Sequence, residues 1–178
     1  MSVNIKKVIE LCIKEKRLIL FNGGDRQWVS CGFAVYPMLN MPHFNETSIR
    51  ATYSIPDTVK VEEVEGMPEA YSFADIDQRE NQVFFERIQL QPAAEQLVSL
   101  RTQAGVTFVQ AKSLKPIEEG ESGSYGLYER ITDSGQIYIA VKQGLLLDAV
   151  ILPVINTVKP DWLADLRELV RVLESTAE

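Results

Sequence analysis

Histidine occurs once in this chain, at His43, and cysteine twice, at Cys12 and Cys31. A single imidazole excludes every site that needs two of them within the chain, histidine-rich zinc centres included. Cys12 and Cys31 stand far apart with no second pair, so neither a zinc ribbon nor a disulfide framework is available. Both lie among apolar neighbours, and each is expected to be a buried free thiol. Nucleotide-binding loops are missing too: no Gly-x-Gly-x-x-Gly follows a strand, and no Gly-Lys-Ser/Thr occurs. Gly23-Gly24 joins two expected strands, without the helix dipole that would hold a phosphate. The nearest approach to a serine elbow, Gly120-Glu121-Ser122-Gly123-Ser124, brings its second glycine too early. His43 follows Pro42 in a loop, where a solvated or locally bonded role is expected. No cofactor is implied.

Long apolar runs are also scarce. The longest, Leu145 to Ile155, is about half what a membrane-spanning helix needs, and it contains Asp148 and Pro153. Near the N-terminus, Glu10, Lys14 and Glu15 interrupt the apolar residues that follow Lys6 and Lys7, so no secretory signal is read there. No membrane association and a cytoplasmic address are the resulting expectations. The net charge is −7, from 18 basic and 25 acidic residues. Asp57 to Glu86 alone holds nine acids against Lys60 and Arg79, the whole of the excess. The rest is balanced and carries no basic stripe, so no nucleic-acid partner is expected.

What is present is a globular pattern. With 178 residues, 46% hydrophobic, the chain is expected to form a single domain over 1–178. Ser2 is placed to cap a helix to about Glu15, with Ile5, Val8, Ile9 and Cys12 on one face. Arg17 to Phe21, the turn Asn22-Gly23-Gly24-Asp25 and Trp28 to Tyr36 make a β-hairpin, ended by Pro37 and Pro42. Asn45 caps a short helix over Glu46 to Tyr53, closed by Pro56. An acidic surface excursion over about 57–80, partly mobile, follows. Val83 to Leu90 is a strand. Leu97 to Thr102 with Val106 to Leu114, and Tyr125 to Thr132 with Gln136 to Lys142, are two more hairpins with glycine in their turns. Leu145 to Ile155 is a strand buried on both faces. Pro160 and Asp161 open a terminal helix whose stripe is Leu163, Leu166, Leu169, Val170 and Leu173. The expected fold is α+β: a curved, mostly antiparallel sheet or partly closed barrel, with helices at both termini.

Carboxylates are the only plentiful reactive groups. Asp75, Asp77 and Glu80 offer oxygens that a divalent cation accepts, but their spacing matches no coordination loop, and a solvated face is expected instead of a metal site. Asp148 stands alone among apolar residues. It is either a turn residue bonding local backbone or a buried acid suited to proton transfer. On the alternating strand Trp28 and Tyr36 point the same way. With Met38, Met41 and Phe44 from the adjacent proline-flanked loop, they form the expected contact surface. These features favour a small non-enzymatic accessory, regulatory or assembly protein working through a protein partner or self-association. The alternative is a carboxylate-based enzyme or small-ligand binder with a cavity in the sheet.

Overall fold

The structure, a computed structural model, describes residues 3–90, 95–103, 105–118, 125–154 and 171. Asn4 caps helix α1 (Ile5–Lys14), its side-chain oxygen accepting the Lys7 N–H at 3.2 Å. The cap is therefore Asn4, and Ser2 lies outside the described residues. Ile5, Val8, Ile9 and Cys12 bury the face that their spacing defines. The chain turns into β1 (Arg17–Asn22) and β2 (Gln27–Ser30), antiparallel across the Gly23–Gly24 turn. Here the structure corrects the expected hairpin. Gly32, at φ +105°, reverses the chain between β2 and β3 (Ala34–Pro37), which pair with each other. The alternation from Trp28 to Tyr36 is broken at that turn, because a glycine-only backbone conformation cannot continue a pleated strand.

Helix α2 (Glu46–Tyr53) follows. Asn45 accepts the Ser48 N–H at 2.8 Å, Ser48 Oγ accepts the Asn45 N–H at 2.9 Å, and Ser54 at φ 52° ends it. The acidic segment then starts as a strand, β4 (Lys60–Glu65), which lies parallel to β1. β5 (Asn81–Leu90), β6 (Leu97–Thr102) and β7 (Gly105–Gln110) are successive antiparallel neighbours. A 3₁₀ turn (Ala111–Ser113) and helix α3 (Lys115–Glu118) take the place expected for the end of a strand. β8 (Gly126–Ile131), β9 (Ile137–Gln143) and β10 (Leu146–Ile151) complete the described elements. The expected terminal helix after Pro160 lies outside the described residues but for Arg171.

The ten strands form one mixed sheet in the order β4-β1-β2-β3-β10-β9-β8-β5-β6-β7. Every pairing but β1/β4 is antiparallel. Among the described residues, strand pairing does not close the sheet into a barrel. Beyond β10, however, the Leu152 N–H donates to the Phe33 carbonyl and the Val154 N–H to the Phe108 carbonyl, each at 2.8 Å. β10 and β7 are distant in strand order, so this bridge requires the sheet to coil back on itself.

Each face of the sheet carries its own core. α1, α2 and α3 cover the inner face, where Leu18, Leu20, Val29, Tyr36, Ile139 and Val141 are buried. Ile19, Phe21, Trp28, Val35, Tyr138, Ala140, Leu147 and Val150 form the outer core. Among the described residues no helix covers that second face. Met67, Tyr71 and Phe73 pack on it instead, so residues 66–80 are a strap drawn across the sheet.

Candidate functional site

The residues expected to form a contact surface are not gathered on one. Trp28 is 2% exposed in the outer core and Tyr36 is 0% exposed in the inner core. The turn at Gly32 sends the two rings to opposite faces. Phe73 of the strap meets Trp28 edge-on, with ring centroids 5.3 Å apart. The Tyr36 hydroxyl donates to the Ser113 carbonyl at 2.7 Å. Met38 and Phe44 are also buried. Buried Gln27 fixes the loop between them: its amide donates to the Phe44 carbonyl at 2.7 Å and accepts the Phe44 N–H at 2.9 Å. Met41 is half-buried, 3.6 Å from the Tyr53 hydroxyl through its sulfur, and His43 is exposed.

The strap is held by polar groups as well as by apolar contact. Arg130 and Lys142 point outward from the paired strands β8 and β9, and both are buried beneath it. Arg130 donates to Glu80 through Nε at 3.0 Å and Nη2 at 2.6 Å, while Nη1 reaches the Ser72 and Ala74 carbonyls at 3.1 and 2.9 Å. Lys142 Nζ donates to the other Glu80 oxygen at 2.5 Å and lies 5.1 Å from the centre of the Tyr128 ring. The Tyr138 hydroxyl accepts the Ser72 N–H at 2.9 Å. One carboxylate thus satisfies two cations that have lost their water, and such charge-assisted bonds are the strong ones.

This arrangement also settles the Asp75-Asp77-Glu80 group. Asp75 accepts the Leu147 N–H at 2.9 Å and lies 3.8 Å from Arg26. Asp77 accepts the Arg79 N–H at 2.9 Å, and Glu80 is committed to Arg130 and Lys142. The three carboxylates serve separate sets of partners and do not converge on one point. Among the described residues, no group of three or more His, Cys, Asp or Glu side chains converges as metal ligands. The solvated acidic face expected here is in large part a clasp. Sequence pattern held a signal for it: Arg130 and Lys142 alternate with Leu127, Glu129, Ile139 and Val141, so two cations fall on one face of a hairpin.

Two other acids are buried. Asp148 is 1% exposed at an irregularity in the β10–β9 pairing, inside a strand rather than a turn. Glu129 is 0% exposed; one oxygen accepts the Gln103 N–H at 2.7 Å, and the other has no hydrogen-bond partner among the described residues. Cys12 and Cys31 are free and buried in the inner core. Burial pushes the Cys31 thiol up to about 11 and raises Cys12 further, so neither is a thiolate nucleophile at neutral pH.

Exposed apolar side chains gather where the strap meets the β9–β10 turn. Leu145 is 70% exposed, Ile76 66% and Leu146 56%. The bond from Leu147 to Asp75 fixes the strap beside this turn, so the three belong to one corner. Asp75 and Asp77 flank Ile76, and Arg26 joins Asp75 to the exposed Asp25. Among the described residues no helix is long and apolar enough to cross a membrane. Comparison with protein-family models, curated proteins and solved structures gives no match for this chain.

Proposed function

We propose that the protein is a non-enzymatic accessory, regulatory or assembly component that binds another protein at the strap–turn corner. The observation carrying this reading is the exposure of Ile76, Leu145 and Leu146 on a turn and a strap that are bonded to each other. Leaving three large apolar side chains in water has a cost that a partner's surface removes. The acidic rim of Asp25, Asp75 and Asp77 selects the partner: an apolar pocket edged with lysine or arginine. Self-association through the same corner would bring these acids together, so a different protein is the favoured occupant. Two free cysteines support a cytoplasmic setting.

The test is recovery of the tagged chain and its Ile76→Ser/Leu145→Ser variant from native cells, with quantitative mass spectrometry of what accompanies each. A partner held by the natural chain, released by the variant and released by added salt is the expected result. Both substitutions are at exposed positions, so thermal unfolding should be unchanged. A partner retained equally by the variant would remove the corner from the interface.

A further inference from the structure

A second surface differs from the rest of this acidic molecule. The Asn4 N–H donates to the Pro116 carbonyl at 2.8 Å, which seats α1 against α3. Between the two helices lies a groove of about 250 Å³ whose lining includes Lys7, Lys14, Lys112 and Lys115, with Glu10 the one acid among the described lining residues. Lys112 is held rigidly: its ammonium is 2.7 Å from Glu15, 3.2 Å from Glu95 and 5.1 Å from the centre of the Phe33 ring. Lys7 faces Glu10 at 4.0 Å. Lys14 and Lys115 form no ion pair among the described residues, so their charge is free for a ligand. Lys115 also lines a neighbouring groove of about 260 Å³ that contains Phe85, Val98 and Leu114 together with Gln96 and Glu86, the last of these paired with Arg101. The Phe85 side chain is 50% exposed there.

We propose that these adjoining grooves bind the phosphate monoester of a small molecule carrying a planar ring. The phosphate lies between Lys14 and Lys115, where two unpaired ammonium groups match a dianion. The ring crosses Lys115 and lies against Phe85, so that an apolar wall orients what the charges attract. The site is distinct from the strap–turn corner and stands or falls independently of it.

Phenyl phosphate and inorganic phosphate are the probes, titrated into the full chain by calorimetry and by amide chemical-shift mapping. Phenyl phosphate should saturate with a dissociation constant about tenfold or more below that of inorganic phosphate, the gain coming from the ring. Lys14→Gln/Lys115→Gln should weaken both probes about tenfold or more, whereas Phe85→Ala should abolish only the advantage of phenyl phosphate. Lys6→Gln/Lys16→Gln removes the same charge from exposed positions outside the groove and should leave both affinities unchanged. The proposal is overturned if neither probe saturates, if the two bind equally, or if the two lysine double variants lose affinity alike.

Discussion

Glu80 and Arg130 lie 2.6 Å apart with the guanidinium 1% and the carboxylate 13% exposed, and Glu80 reaches Lys142 through its other oxygen. Glu80→Gln keeps the shape of the side chain and leaves both cations buried without their counter-charge. Removing one partner of a buried pair costs about 3–5 kcal/mol. The expected outcome is a loss of that size in urea unfolding, with faster hydrogen exchange at Ser72 and Leu147, whose amides the strap fastens. Unchanged exchange at these amides would show that apolar contact alone holds the strap.

Trp28 is covered by Phe73, and both belong to the outer core. Trp28→Ala should destabilise the protein by about 3–5 kcal/mol, the range for large aromatic truncations in a core. Phe73→Ala should act in the same direction and less than additively with it, because the two rings share one contact. Chemical denaturation of the two single variants and the double variant checks this. A folded Trp28→Ala protein of natural stability would contradict the burial.

Alkaline pH should weaken the fold. Burial raises the Cys31 thiol from an ordinary 9.0 to about 11, and raises Cys12 and Tyr36 as well. The unfolded chain therefore releases these protons first. The stability they contribute is complete below the unfolded values and is lost as pH rises through the folded ones. Urea midpoints should fall between pH 9.0 and about 11. Cys12→Ala/Cys31→Ala should make the fall shallower, and an identical slope in that variant would assign it to other groups.

Legibility from sequence followed the range of the interactions. α1, α2 and the two later hairpins rest on local spacing, capping residues and glycine turns, and each lies close to its expected position. Gly32 was present in the sequence, but a single glycine within an apparently alternating run does not announce a chain reversal. Without that reversal, the even spacing of Trp28 and Tyr36 points both rings to one face. β4 has charged residues at most positions and is a strand because β1 supplies its hydrogen bonds. The strap's role depends on Arg130 and Lys142, which come much later in the chain. The exposed corner likewise joins Ile76 to Leu145 and Leu146 through one long-range bond, beyond the reach of any local pattern.

On its side away from β2, the neighbour of β3 in the sheet is β10, and this has a consequence for biosynthesis. A ribosome delivers β1 to β4 well before β10, so the early piece β4-β1-β2-β3 emerges with the edge of β3 unpaired. Strands β8 to β10, to which the strap is fastened, are not yet made. An unpaired edge beside uncovered aromatic residues is an aggregation hazard. A chain released early would not be half of a working molecule. Chaperone protection during translation matters more for this topology than for one whose neighbouring strands follow each other in sequence.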